Sequence, residues 1–173
     1  MGVIVRRDKT LAGYNGNIES VFVADATKDY DNGTLVTIGG LADLAKFGRE
    51  VKEAKLTTAE TGKEEVLMVI TPELMYDEKK TLDEFTNPEE GVARAYRFAD
   101  GDVVSLTVSG LPADVAVGNV LVAGADGKLV AYASGEYKVA FEVIEDCGYE
   151  LTSKEKAFAL AIKRDHTVAG VAG

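Results

Sequence analysis

Among its 173 residues the chain has one cysteine, Cys147, and one histidine, His166. A single thiol excludes an internal disulfide, and the carboxylates of Glu145 and Asp146 beside it oppose thiolate formation. One cysteine and one histidine are too few for a zinc centre built on those ligands. A Ser-His-Asp arrangement would pair His166 with Ser153, but the chain has no G-x-S-x-G turn, and His166 lies in a segment ending TVAGVAG that reads as frayed. Long apolar runs are missing too. The longest, VLMVI at 66–70, falls far short of the roughly 20 residues a membrane-crossing helix needs. The opening MGVIVRRDK turns charged after five residues, without an apolar leader and small-residue cleavage site, so folding in the cytoplasm is expected. Positive charge is scarce, with 19 Lys and Arg against 29 Asp and Glu. The net charge of -10 repels phosphate backbones and anionic headgroups, so neither nucleic acid nor a membrane is expected as a partner.

What is present points to strands. Hydrophobic residues make up 46% and charged residues 28%, and Val, Tyr and Thr recur between turn pairs drawn from 18 glycines. The expected fold is mainly β, a small β-barrel or sandwich with an extended N-terminal arm and a long acidic loop insertion. A chain of this length buries a sufficient core without staples.

Residues 1–17 combine an apolar tip with Arg6, Arg7 and Lys9 and with Gly2, Gly13 and Gly16. Such a segment buries little of itself, so it reads as a frayed end or an arm that orders on a partner. Residues 18–92 read as an N-terminal β region. There Val21–Ala24 and Leu35–Ile38 flank an Asn32-Gly33 pair suited to a hairpin turn with positive φ. In GGLADLAKFG, Leu41, Leu44 and Ala45 have helical spacing between glycines, which allows at most two turns of helix. The strand in EEVLMVI stops at Thr71-Pro72, since proline removes a ladder donor and restrains its predecessor. Residues 72–91 are acidic, hold two of the three prolines and lack periodicity. They read as a functional loop tucked down by Leu74, Met75, Leu82 and Phe85.

The segment 93–165 is read as the β-barrel core. Strands are expected at 93–98, 103–108, 119–123, 129–133 and 139–144, broken by Asp100-Gly101, Gly110 to Pro112, Asp126-Gly127 and Ser134-Gly135. Val104, Leu106 and Val108 alternate with Ser105, Thr107 and Ser109, which predicts one dry face and one wet face. Near the C-terminus, Thr152 and Glu155 form a capping-box pattern that favours a helix, whereas Phe158, Leu160 and Ile162 alternate as in a strand. The strand is preferred, because a β protein gains more from a closing partner. Residues 166–173 are read as a flexible tail.

Other chemistry is weakly coded. Asp29 and Asp31 begin a calcium-loop pattern, but Gly33, Thr34 and Gly40 stand where a ligand, the turn glycine and the bidentate Glu belong. TGKEE at 61–65 carries the Gly-Lys of a phosphate loop, with Thr57 in place of its first glycine and Glu64 in place of its hydroxyl. Asn32-Gly33-Thr34 matches a glycosylation acceptor but reads as a turn. The pairs Glu64-Glu65, Asp83-Glu84 and Glu89-Glu90 fall in loops or at strand starts, where solvation explains them better than acid/base work in a cleft. The expectation is a protein that is not an enzyme and has no cofactor or metal.

Two stretches, NGTLVTIGGL at 32–41 and VITPELMYDEKKTLDEFTNPEEGVARAYRFADGDVVSLT at 69–107, resemble head structural proteins of tailed bacteriophages of Gram-positive hosts. GNVLVAGADGKLVAY at 118–132 and AFALAIKRD at 157–165 resemble the β-barrel of capsid decoration (cement) proteins. The resemblance implies a protein of the virion exterior that binds the major capsid protein lattice and reinforces the head, with neighbouring copies meeting as trimers at three-fold positions. It also implies an N-terminal segment running along the capsid protein, a role that falls here on Val3, Ile4, Val5, Arg6, Arg7 and Lys9. Two other readings stand beside it. One is a ring-forming tail or head-tail connector component; the other is a glycan-binding β domain using Tyr76, Tyr96, Tyr132, Tyr137 and Tyr149, residues that more often serve core edges or interfaces.

Overall fold

The computed structural model describes residues 3–9, 17–72 and 84–167, with residues 6–9 and 166–167 described by backbone alone. The fold is mainly β. After the N-terminal strand β1 (Val5–Lys9) come β2 (Ile18–Val23), β3 (Leu35–Leu41), the single helical turn α1 (Leu44–Phe47), β4 (Val51–Leu56), β5 (Leu67–Val69) and β6 (Ala93–Tyr96). Strands β2 to β6 close into a five-stranded barrel in the order β2-β4-β3-β5-β6. Only the β2–β4 pair is parallel. Five strands leave a narrow interior, and small side chains fill it: Val21, Val23, Val36, Ala54, Leu67, Val69, Ala93 and Ala95.

The neighbouring positions on the same strands point outward and are also buried. Leu35, Met68 and Tyr96, with Val66, Ile70 and Phe98, pack against Val104, Leu106, Leu121, Phe141, Leu160 and Ile162. The run VLMVI therefore has no polar alternation because both of its faces are dry. Leu67 and Val69 face the barrel interior, while Val66, Met68 and Ile70 face the second core.

That second core lies under a six-stranded antiparallel sheet made of β1, β7 (Val103–Thr107), β8 (Val120–Ala123), β9 (Leu129–Ala131), β10 (Glu136–Gly148) and β11 (Ala157–Thr167). Its order is β1-β7-β11-β10-β8-β9, so β1 and β9 are its edges. Glycines let barrel and sheet approach closely. A Cβ at Gly62 would lie 2.3 Å from the Ala123 carbonyl oxygen, and one at Gly127 would lie 2.9 Å from the Leu35 carbonyl oxygen. The Thr57 hydroxyl adds a 2.8 Å bond to the Gly124 carbonyl, fastening the β8–β9 hairpin to the barrel.

The structure corrects several expectations. The barrel closes over residues 18–96, not 93–165, since the dry face of the long β10–β11 pair is covered by the barrel and not by its own curvature. Val21–Ala24 and Leu35–Ile38 do not form a hairpin. The two sides of β2 are taken by β4 and β6, and although Gly33 has the anticipated positive φ of 87°, its N–H donates to Val69. The face of β7 expected to be wet is covered, because Ser105 and Thr107 are fully buried and Cys147, Ala157 and Ala159 cluster beside them. The preferred strand near the C-terminus is β11, and it runs through His166 and Thr167, which pair with Tyr137 and Glu136 where a tail was expected. Residues 168–173 lie outside the described residues. The helix between glycines is one turn, started by the Asp43 carboxylate accepting from Ala45 N–H at 2.9 Å and ended at Gly48 with φ of 72°.

Candidate functional site: the seat of the N-terminal strand

The arm expected to reach outward is laid back on its own sheet. β1 pairs antiparallel with β7, with Val5 opposite Leu106 and Arg6 opposite Ser105, and the register slips before Lys9 meets Val103. Val3 is buried and Ile4 and Val5 are half-buried, because an apolar tip next to the uncovered Leu106 face gains more from burial than from solvent. Of the six residues expected to contact a partner, Val3, Ile4 and Val5 are thus used internally. Arg6, Arg7 and Lys9 lie in the backbone of β1.

The seat is built from both halves of the molecule. Two glycines shape it for Val3: a Cβ at Gly110 would lie 2.7 Å from Val3 Cγ1, and one at Gly33 would lie 3.2 Å from the same atom. Val3 N–H donates to the Asp31 carboxylate. Burial pushes the Asp31 carboxyl above its ordinary 3.8, and the Val3 hydrogen bond and the charge of Lys28 pull it part of the way back. Ile4 N–H donates to Thr107 Oγ1 at 3.2 Å, and Thr107 N–H donates to the Ile4 carbonyl at 3.2 Å.

Behind Thr107 the hydroxyls form an ordered chain. Ser109 Oγ donates to Glu155 Oε1 at 2.9 Å and Ser109 N–H donates to Oε2 at 3.1 Å. Since Ser109 spends its proton on the carboxylate, it accepts from Thr107 Oγ1 at 3.2 Å, which leaves Thr107 Oγ1 as acceptor for Ile4. The buried Glu155 therefore draws both hydroxyl protons away from the arm, leaving Thr107 Oγ1 to accept from Ile4, and each bond in the chain polarises the next. Glu155, which with Thr152 suggested a helix cap, serves this purpose instead.

On the barrel side, Asn32 clamps the loop that carries Asp31 and Gly33. Its Oδ1 accepts from Thr71 N–H at 2.9 Å and its Nδ2 donates to the Thr71 carbonyl at 3.0 Å, continuing the β3–β5 ladder with a side chain. Asn87 Nδ2 donates to Asn32 Oδ1 at 3.1 Å, and the backbones of Tyr30 and Asn87 exchange two bonds. Alongside the seat runs a groove of about 1100 Å³, whose lining includes Val3, Tyr30, Asp31, Leu111, Lys128 and Lys154. Burial pushes the Tyr30 phenol up to about 12, and its hydroxyl has no hydrogen-bond partner among the described residues.

The other residues singled out by sequence do not converge. Glu64, Glu84, Glu89 and Glu90 are exposed, and Glu89 N–H donates to Asp29 at 3.2 Å, so Asp29 ties down the end of the acidic loop. Asp83 and Tyr76 lie outside the described residues. Tyr96 is in the core, Tyr149 is exposed, and Tyr132 and Tyr137 meet edge to face at 5.8 Å. Tyr96, buried, cannot share an exposed platform with Tyr132 and Tyr137. Cys147 is buried, its sulfur 3.9 Å from the Ser105 hydroxyl. Among the described residues no group of three His, Cys, Asp or Glu side chains is set to hold a metal ion, and no helix is long and apolar enough to cross a membrane.

The sequence reading missed Asp31, Gly33, Thr107, Ser109, Gly110 and Glu155 as parts of one site. The single local signal was the row of hydroxyls alternating with valine and leucine on β7. In comparisons with known proteins, no family model, no curated protein and no solved structure matches the chain.

Proposed function

We propose that this chain is a decoration protein of a tailed-bacteriophage head, binding the outer surface of the major capsid protein lattice and stabilising the shell without enzymatic activity. The reading rests on the sequence resemblance and on one structural observation. β1 is an edge strand that pairs with β7 alone among the described strands, so its other side offers backbone N–H and C=O groups to an extended partner segment. Main-chain pairing supplies affinity that tolerates sequence change, and many copies on one lattice turn modest single contacts into firm attachment. The net charge of -10 keeps a coated particle soluble. The partners in this reading are the major capsid protein and neighbouring copies, arranged as trimers at three-fold sites, and the protein resides on the virion exterior.

Co-sedimentation with expanded shells lacking any decoration tests this. The expected result is saturable binding at micromolar protein with high occupancy of equivalent sites. Protein left wholly in the supernatant, or rings and tubes of the protein alone under negative stain, would overturn it.

A further inference from the structure

We infer that the seat of β1 is exchangeable between copies, so that residues 3–9 of one molecule occupy the β7 edge of another and link them. The inference bears on neighbouring copies in the proposed coat, but the exchange itself is a property of the chain alone.

Three observations carry it. First, β1 touches the rest of the molecule as a terminal edge strand. Removing it leaves β7, β11, β10, β8 and β9 paired in order, with a vacated slot along β7. Second, the slot recognises the arm specifically. The glycine cradle of Gly33 and Gly110 fits Val3, Asp31 accepts from its backbone, and the Glu155–Ser109–Thr107 chain presents an oriented acceptor to Ile4. None of these contacts depends on which molecule supplies the arm. Third, β1 and β2 share no sheet, so no pairing with its successor in the chain holds β1 in its own molecule.

Arithmetic then sets the condition. Residues 10–16 join the arm to the body, a seven-residue connection that reaches at most about 25 Å. A tether of this kind gives the molecule's own arm an effective concentration of roughly millimolar. In dilute solution the internal arm wins, whereas copies crowded within that reach compete on equal terms. Exchange is head-to-tail, so three copies around an axis close into a ring in which each arm fills the next seat.

Disulfide trapping distinguishes the arrangements. In a Cys147→Ser background, Val5→Cys and Leu106→Cys are placed on separate molecules, then together on one. Mixed single variants are expected to form a heterodimer whose yield rises from micromolar to millimolar protein. Adding Gly110→Val to the Leu106→Cys partner is expected to abolish it, because the new side chain occupies the position of Val3. The double variant is expected to close internally at low concentration. Internal closure with no heterodimer at millimolar protein would overturn the inference, as would a heterodimer indifferent to Gly110→Val. A second measurement needs no core substitution: a fluorescent peptide of residues 2–9 added to the unmodified full chain. Saturable uptake with a midpoint near millimolar is expected, and no uptake at several times that concentration refutes exchange. Both assays omit capsids, so their failure leaves the decoration reading standing, and failure of shell binding leaves exchange standing.

Discussion

Arg164 of β11 grips Glu65 of the barrel with both arms of its guanidinium, Nη1 donating to Oε1 at 3.0 Å and Nη2 donating to Oε2. The same Nη1 donates to the Phe98 carbonyl at 3.0 Å, and Arg97 Nε stands 3.5 Å from Glu65. Hydrogen bonding to Glu65 raises the Arg164 pKa above its ordinary value. This pair ties β11 to the half of the chain that forms the barrel, and it sets the first expectation.

Arg164→Ala is expected to cost about 1–2 kcal/mol, between the value of an exposed pair and that of a buried charged hydrogen bond, since both side chains are about one-quarter exposed. Arg164→Lys should recover less than half of it, because an ammonium cannot make the two-pronged contact. Urea unfolding of both variants checks this. Equal stability of Lys and wild type would show that charge alone matters.

Asn32→Ala removes both partners of the Thr71 backbone and is expected to cost about 3 kcal/mol. Asn32→Asp keeps the acceptor for Thr71 N–H but sets a carboxylate against the Thr71 carbonyl. It should be destabilising at neutral pH and partly recover on acidification, as the protonated acid regains a donor. Thermal melts of the two variants at neutral and acid pH separate these outcomes.

The pH dependence of Asp31 has a definite sign. Burial raises its folded pKa above the unfolded 3.8, so the folded state holds its proton to higher pH than the unfolded state does. Stability from this group therefore falls as pH rises from 3.8 through the folded value, and levels off above it. Asp31→Asn, whose Oδ1 still accepts from Val3, should remove that slope and melt higher than wild type at neutral pH. A variant that melts lower would mean that the negative charge holds the arm.

Tyr30→Phe deletes a buried hydroxyl that has no hydrogen-bond partner among the described residues. The expected gain is about 1 kcal/mol, read as a higher urea midpoint at unchanged slope. A loss of the same size would show that the hydroxyl is satisfied.

Much of this was legible in the residues. Phe158, Leu160 and Ile162 alternate on β11 as their spacing required, the Asp126-Gly127 turn joins β8 to β9, and Leu44 to Phe47 is one turn of helix. The helix-cap pattern at Thr152 and Glu155 was outweighed by the strand pattern that follows it, and it forms no helix, since a capping box is only a spacing and Ser109, 46 residues away, takes the same carboxylate.

Local periodicity and turn glycines marked several of the strands, β7, β8 and β11 among them, because a two-residue repeat and a turn glycine act within a few residues. Tertiary structure alone decided which strands close into the barrel, that both faces of VLMVI are dry and that the arm lies in a seat made by Asp31, Gly33, Thr107 and Gly110. Those outcomes depend on contacts between residues far apart in the chain, as from Ile4 to Thr107, 103 positions away. Such contacts form only when two dry surfaces meet and exclude water, a condition that no single segment carries in its own order of residues.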